Sequence, residues 1–393
     1  MSTPLHVAVI GAGAFGGWTA LELRRRGARV TLLDAWGPGN SRSSSGDETR
    51  IIRGVYGSDK VYVDWVARAF PLWRQAQERW GVPLYRRTGC LWLCGGDDAY
   101  VRACLPHFAD AGLAIAELSL EETRRRFPQV DFGGVGSIFF EEEAGYLLAR
   151  RACQAVAAAV AAEGGEVRRA SAMPGPIAHG RLERLDLADG SALAADLFVF
   201  ACGPWLGGLF PEVIGERRLL PTRQEVFYFG TPAGDLRFDD GACPAWIDLS
   251  GERIYYGIPG NESRGFKVGD DTRGEPFDPT TTERIFSPSL LAGARAVLAR
   301  RFPALSRAPL VESRVCQYEN TSDGHLLFDR HPDAANLWFL GGGSGHGFKL
   351  GPALGEYAAE SILAGRTPLP LFSLDRPAFA EGAPVRTQFD AAG

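Results

Sequence analysis

The chain has 393 residues, enough for about two or three domains with sizeable cores. Its 42 basic and 47 acidic residues give a net charge of −5, which excludes a strongly basic nucleic-acid-binding surface. An apolar content of 45% excludes intrinsic disorder, and no apolar run is long enough to predict a membrane span. The seven cysteines are scattered without a CxxC pair. We therefore expect neither a disulfide framework nor a metal site, and a cytoplasmic location fits best.

The first 34 residues predict a βαβ unit. Val7–Ile10 predicts an apolar strand, Gly11–Gly17 a glycine-rich turn, and Trp18–Arg26 a helix. A second strand is predicted at Val30–Leu33, directly before Asp34. Two buried strands that flank a helix predict a parallel sheet.

The middle of the chain has a different pattern. A long helix is predicted at Tyr62–Trp80, with a kink at Pro71. Short β-like runs then predict an antiparallel sheet, which is usual for a domain that covers a substrate. These runs are Cys90–Leu93, Ser137–Phe140, Glu225–Phe229, Ala245–Leu249 and Ile254–Ile258.

The βαβ pattern returns twice later in the chain. Leu147–Ala162 predicts an Ala-rich helix, and Leu197–Ala201 predicts another buried strand. Asn336–Leu340 predicts a last strand, followed by a glycine-rich turn and a helix at Pro352–Leu363. We therefore predict an α/β fold in which a Rossmann-like domain is interleaved with a mostly antiparallel-sheet domain. The Rossmann-like domain is predicted at residues 1–85, 145–215 and 316–385, and the antiparallel-sheet domain at residues 86–144 and 216–315.

The first glycine-rich turn fits the pattern GxGxxG between a strand and a helix. Gly11 permits the tight turn, Gly13 lets the backbone approach a pyrophosphate, and Gly16 allows close helix–strand packing. The helix that follows offers free N–H groups and a partial positive charge to phosphates. Asp34 is placed to accept hydrogen bonds from a ribose 2′-hydroxyl, which favours FAD or NAD over NADP. These residues and Ala14 predict a dinucleotide site.

The second glycine-rich turn, Gly341–Gly347, also follows a predicted strand and opens a helix. It is either a flexible turn or a place where backbone N–H groups meet an anion. Lys349 is predicted in the first turn of that helix, where a cation opposes the helix dipole and an anionic partner explains it best. Only three of the 42 basic residues are lysines: Lys60, Lys267 and Lys349. A lysine retained in such an arginine-rich chain is present by chance or because a compact ammonium is required.

Several further motifs occur in order along the chain. They are GDETRIIR beginning at Gly46, ACGPW at Ala201, GFK at Gly265, CQY at Cys316 and GHGFK at Gly345. With these motifs, nearly the whole chain resembles the flavin-dependent amine oxidases of the D-amino-acid oxidase superfamily. It most closely resembles the monomeric sarcosine oxidase group, which includes N-methyltryptophan and pipecolate oxidases.

The resemblance implies a cofactor, FAD, attached covalently through Cys316. It implies that Arg53 and Lys349 hold a substrate carboxylate together. It further implies that Lys267 promotes the reaction with oxygen, and two of the three lysines thus match positions where lysine is needed. Tyr256 and Tyr318 are implied to line the substrate pocket. Arg50 is implied to pack close to the flavin ring. The further implied cofactor contacts are Thr49, Gly203, Gly343, Gly345, Gly347, Phe348 and Lys349.

Two acidic residues depart from the family pattern. Asp271 stands where sarcosine oxidases carry a pocket histidine, and Glu319 stands where the family often has threonine. If both face the substrate pocket, they form a negative wall opposite Arg53 and Lys349. Sarcosine would then leave a carboxylate without a partner, and a longer or ring-bearing amino acid would be preferred. The alternative is that both acids face solvent, as acidic residues usually do.

The resemblance implies an FAD-dependent oxidase of a secondary or N-methyl amino acid. The expected products are an imine, which water hydrolyses, and hydrogen peroxide from oxygen. The expected partners are the amino acid and oxygen only, with no nucleic acid or membrane, and the chain is expected to be a monomer. One alternative is a flavin dehydrogenase or a biosynthetic oxidase of a larger cyclic amine or imine. A non-catalytic nucleotide-binding protein is disfavoured because Arg53, Lys267 and Lys349 occur together.

Overall fold

A computed structural model describes residues 3–380 and 385–389. The parts of the predicted Rossmann-like domain at residues 1–2 and 381–384 lie outside the described residues. Within the described residues, no helix is both long and apolar enough to cross a membrane. The α-helices of the described chain are Ala14–Arg25, Lys60–Trp80, Ala99–Asp110, Leu120–Arg126, Ala149–Ala162, Leu206–Leu209, Gly215–Arg218, Pro288–Arg301 and Gly351–Ala364.

The first large sheet has six strands and follows the predicted Rossmann-like pattern. In spatial order its strands are Leu327–His331, Ala334–Gly341, Leu197–Phe200, His6–Ile10, Arg29–Asp34 and Glu166–Arg169. All neighbouring pairs are parallel except the first. Alternate side chains of one strand enter different cores: Val7 and Val9 pack with the helices, whereas Ala8 and Ile10 pack on the opposite face. Burial on both faces explains why the central strands, His6–Ile10 and Leu197–Phe200, are mostly apolar.

The second large sheet has eight strands and contains all five predicted antiparallel runs. In spatial order its strands are Leu310–Asn320, Leu220–Phe229, Phe266–Asp270, Tyr255–Ile258, Ala245–Leu249, Cys90–Cys94, Ser137–Glu141 and Ile115–Glu117. Its neighbours are antiparallel except Ala245–Leu249 and Cys90–Cys94, which are parallel. The chain thus has the predicted α/β fold with a parallel and a mostly antiparallel sheet.

Smaller sheets complete the described fold. One contains Thr49–Ile52, Gly145–Leu148 and Tyr85–Arg86; the others contain Ala172–Pro174, Leu185–Leu187 and Ala192–Leu193, and Ile177–Ala178 with Arg181–Leu182.

One predicted helix and one predicted domain boundary differ from the structure in ways that matter for the site. The segment predicted as a helix from Leu147 begins instead with the strand Gly145–Leu148, because this strand pairs with Thr49–Ile52. The helix starts only at Ala149. The strand Leu310–Asn320 belongs to the eight-stranded sheet and contains the predicted domain boundary at residue 316. The domain division itself stays a prediction.

Candidate cofactor and substrate site

Two cavities meet at the junction of the two large sheets. The large cavity has a volume of about 400 Å³ and the small one about 60 Å³. Arg50, Tyr318, Gly345 and Phe348 line both cavities and therefore form the boundary between them. The predicted cofactor residues that line the large cavity are Gly11, Gly13, Ala14, Asp34, Arg50, Gly203, Gly343, Gly345, Gly347 and Phe348.

The glycines of the first turn differ in what surrounds them. Gly11 has a φ of +106°, and a Cβ there would lie 2.2 Å from the carbonyl oxygen of Ala201. A Cβ on Gly16 would lie 1.9 Å from the carbonyl oxygen of Gly11, so this glycine permits the close packing of helix and strand. A Cβ on Gly13 would only touch Ser45 Oγ, at 3.6 Å, so this position is not crowded. It is the N-cap residue of the next helix and supplies no side-chain acceptor. The Ala14 N–H donates to Ser45 Oγ at 3.4 Å, and the remaining N–H groups of a first helical turn suit phosphate oxygens.

Asp34 is held at the end of its strand by backbone donors. Its Oδ2 accepts from the N–H of Ala12 at 2.9 Å, and Oδ1 accepts from the N–H groups of Trp36 and Gly37 at 2.9 and 2.8 Å. The Asn40 amide also donates to Oδ1, at 3.5 Å, so Oδ1 is saturated, whereas Oδ2 accepts only from Ala12 within the described chain and retains acceptor capacity for a ribose hydroxyl. Burial raises the pKa of Asp34, and the three backbone donors oppose that shift.

Glu319 lies in the large cavity, and the expected negative wall of Glu319 with Asp271 is wrong. Tyr318 reaches the small cavity, where its hydroxyl donates to Asp271, whereas the next side chain, Glu319, lines the large cavity only. Glu319 Oε1 accepts from the N–H of Gly343 at 3.2 Å, whereas Oε2 is buried with no hydrogen-bond partner in the described chain. Burial raises the pKa of Glu319 to about 7.

The large cavity fits FAD. A helix N-terminus without a side-chain cap suits the phosphates, and Asp34 suits a ribose hydroxyl. The unpartnered oxygen of Glu319 suits a further hydroxyl donor. Two implied cofactor residues, Thr49 and Cys316, are buried and line neither cavity. Burial raises the pKa of the Cys316 thiol, and the charge of Arg50 opposes that shift.

Arg53 and Lys349 are buried together at the small cavity. The Lys349 ammonium donates to the carbonyl oxygen of His346 at 2.7 Å, and the Arg53 guanidinium donates to that of Val55. Lys349 Nζ and Arg53 Cζ each lie 4.8 Å from the ring centre of Tyr56. Burial and repulsion by Arg53 place the pKa of Lys349 well below its usual range. Neither cation forms an ion pair within the described residues.

Lys349 lies in a 3-10 turn, Phe348–Leu350, and not in the first turn of the α-helix that begins at Gly351. Its carbonyl oxygen accepts a hydrogen bond from the indole N–H of Trp73 at 2.8 Å. The long helix Lys60–Trp80 therefore helps to position the lysine.

Asp271 lines the small cavity but is already paired. Its Oδ1 accepts from the hydroxyl of Tyr318 at 2.8 Å, and its Oδ2 accepts from the Gln388 amide at 2.9 Å. The Arg273 guanidinium lies 3.7 Å from Oδ2 and balances the charge. Tyr256 also lines this cavity, as the resemblance implied.

Lys267 forms a buried ion pair with Asp47 and lines neither cavity. Its ammonium donates to Asp47 Oδ2 at 2.5 Å and to the carbonyl oxygen of Thr49 at 2.9 Å. Arg50 donates to the same carboxylate oxygen, and the Tyr228 hydroxyl donates to Oδ1 at 2.6 Å. Although burial opposes ionisation, Lys267 and Arg50 hold the pKa of Asp47 well below its usual range. Burial lowers the pKa of Lys267, and Asp47 opposes that shift.

Sequence reasoning assigned no role to three of these residues: Asp47, Gln388 and Phe389. A signal for Asp47 was present, because a buried lysine requires a buried anion and Asp47 lies within the GDETRIIR motif. Gln388 and Phe389 line the small cavity from the carboxyl-terminal segment, which has no periodic pattern that predicts its path.

Residues 6–361 match the family described as DAO, FAD dependent oxidoreductase. The chain belongs to this family. The match spans most of the chain, including both glycine-rich turns and the whole lining of the large cavity, and it supports FAD as the cofactor. An FAD-binding family is consistent with the parallel sheet and with the glycine-rich turn after the strand His6–Ile10.

Known members of the family support an amine oxidase. The chain is 29% identical to a monomeric sarcosine oxidase of Bacillus sp. (strain B-0618), over 97% of this chain and 98% of the relative. It is 30% identical to the peroxisomal sarcosine oxidase of Homo sapiens, over 90% of each chain. A crystal structure of L-proline dehydrogenase from P. horikoshii superposes with a TM-score of 0.80 at 22% identity, covering 94% of this chain and 96% of that one. This last likeness shows the fold alone.

We predict that Asp47→Asn lowers the free energy of unfolding by about 3–5 kcal/mol, because it leaves the buried Lys267 ammonium without its anion. Urea unfolding measures the change. Asp64→Asn is the matched control, since it removes the anion from the exposed Lys60–Asp64 pair, and it should leave the unfolding midpoint nearly unchanged. Equal effects of the two substitutions would contradict the role given to Asp47.

Proposed function

We propose that this chain is an FAD-dependent oxidase of secondary or N-methyl amino acids, forming an imine and hydrogen peroxide. The observation that carries the proposal is the buried pair of cations at the small cavity, Arg53 and Lys349. Neither side chain forms an ion pair among the described residues, and the nearest carboxylates, Asp271 and Glu141, accept hydrogen bonds from other groups. An anionic ligand therefore stabilises both side chains in their charged forms. A substrate carboxylate does so, and the adjoining large cavity is the place for FAD.

The division of labour follows from the two cavities. Arg53 and Lys349 bind and orient the carboxylate, the planar guanidinium through paired N–H donors and the ammonium as a point charge. Tyr256 and Tyr318 form an aromatic wall beside the substrate, and Arg50 lies where the two cavities meet. The bound FAD supplies the two-electron acceptor chemistry. The chain contributes orientation, exclusion of water and electrostatic stabilisation.

Oxygen as the acceptor is supported by Lys267. Oxygen gains negative charge when it is reduced, and a buried cation stabilises that charge. Lys267, Arg50 and Arg314 all pair with the single carboxylate of Asp47, so the cations outnumber the anion at this carboxylate. A flavin dehydrogenase is the second candidate, because Asp47 neutralises much of the field of Lys267.

We predict that Lys267→Met slows the oxygen-dependent half-reaction far more than the amine-dependent half-reaction. Stopped-flow absorbance measures the two rates separately in the same protein. Lys60→Met changes a lysine on the exposed surface and should alter neither rate. An unchanged oxygen-dependent rate in Lys267→Met would favour the dehydrogenase.

We predict that FAD is attached covalently through Cys316. The wild-type protein should then keep its yellow colour after acid precipitation, and Cys316→Ser should release the flavin into the supernatant. Cys202→Ser is the control, because Cys202 lines the large cavity and its loss should leave the colour in the pellet. Flavin released from the wild-type protein would refute the attachment.

We predict that acetate binding at the small cavity weakens as pH rises. Burial depresses the pKa of Lys349 in the free protein, and a bound anion raises it again, so binding takes up a proton. Acetate carries no amine, and above its own pKa its charge is constant, so the pH dependence reports the protein. Calorimetric titration at several pH values should show the trend in wild type and Lys60→Met. Lys349→Met should bind acetate weakly, and its affinity should not change with pH. A pH dependence like that of the wild-type protein in this variant would contradict the assignment of Arg53 and Lys349 as the carboxylate site.

A further inference from the structure

The carboxyl-terminal segment contributes two side chains to the small cavity, although the family match ends at residue 361. Gln388 and Phe389 both line it. They lie next to the groups that the proposed function assigns to the substrate. Their contacts therefore bear on what the cavity can admit.

Gln388 connects two buried charged residues. Its amide nitrogen donates to Asp271 Oδ2 at 2.9 Å, and its amide oxygen accepts from Arg273 Nη2 at 3.2 Å. Asp271 and Arg273 are both nearly inaccessible, with side-chain exposures of 8% and 5%. One amide thus supplies a donor to the anion and an acceptor to the cation, and it anchors the segment at the cavity wall.

Phe389 covers the cation that is proposed to bind the carboxylate. Its ring centre lies 5.3 Å from Arg53 Cζ. The ring also packs edge-on against Tyr100 and Trp92, with centroid distances of 5.1 and 6.2 Å. Phe389 therefore occupies space that a bulky group on a substrate bound to Arg53 would need.

The opposite walls of the cavity are of a different kind. Ile247 and Tyr256 belong to inner strands of the eight-stranded sheet, and Tyr318 belongs to its edge strand, which pairs with Leu220–Phe229. A rigid sheet sets that side of the cavity, so its size is most easily changed at Gln388 and Phe389.

We propose that Gln388 and Phe389 are specificity-determining residues, which restrict the small cavity to compact amino acids and exclude those with an aryl group. The proposal rests on the proposed function, because it takes Arg53 and Lys349 as the carboxylate site. The preference is the reverse of the one expected from a negative wall of Asp271 and Glu319. That wall is absent because Glu319 faces the large cavity.

The experiment compares the binding of acetate and phenylacetate to the flavin-loaded protein by calorimetric titration at one pH. The wild-type protein should bind acetate and bind phenylacetate poorly. Phe389→Ala should tighten phenylacetate binding about tenfold or more while acetate changes less than about threefold. Gln388→Ala removes the hydrogen bonds to Asp271 and Arg273. It should raise the affinity for phenylacetate relative to acetate, as Phe389→Ala does.

Two controls keep the interpretation clear. Phe379→Ala makes the same change in a phenylalanine that lines neither cavity, and it should leave both affinities unchanged. Lys349→Met in the Phe389→Ala background should weaken the binding of both acids. This result would show that they bind at the proposed carboxylate site, Arg53 and Lys349.

The proposal is overturned if Phe389→Ala and Gln388→Ala leave the ratio of the acetate and phenylacetate affinities unchanged. Equal gains in affinity for both acids would be such a result. Failure of the proposed function has another signature: acetate would bind Lys349→Met as tightly as it binds the wild-type protein. The same variants can then be compared by kcat/KM for sarcosine and N-benzylglycine. A relative gain for N-benzylglycine in Phe389→Ala is the expected result.

Discussion

The buried carboxylate of Asp47 connects the parts of the molecule that form the site. It accepts hydrogen bonds from Arg50 beside the large cavity, and from Lys267 and Tyr228 on two strands of the eight-stranded sheet. A carboxylate removed from water is stable only with several such partners. The same residue therefore neutralises the lysine and fixes the sheet relative to the segment that carries Arg50 and Arg53.

Much of the fold could be predicted from local patterns. The strand, glycine turn, helix and Asp34 follow one another within 34 residues, so short-range rules are sufficient. The antiparallel runs were also recognisable, but their order in the sheet was not, since it depends on pairing between distant segments such as Cys90–Cys94 and Ala245–Leu249. The strand at Gly145–Leu148 was missed for the same reason, because only its partner Thr49–Ile52 makes it a strand.

The site could be predicted where the resemblance to a family supplied the residues. Lys349 and Arg53 were expected together and lie together at the small cavity. For Glu319 the substrate pocket and the solvent were left open, and the structure shows neither, because this side chain lies in the large cavity. The contacts of Gln388 and Phe389 could not be predicted, because a short terminal segment has neither a periodicity nor a neighbouring motif that determines where it packs.

The distribution of lysines has a practical consequence. Lys267 and Lys349 are buried, whereas the Lys60 side chain is 46% exposed. Among side-chain amines, only Lys60 is therefore open to reagents such as succinimidyl esters. A dye, a biotin or a solid support coupled to it would be attached at one defined position, at the start of the helix Lys60–Trp80. Neither cavity includes Lys60 in its lining, so such conjugates would leave both open.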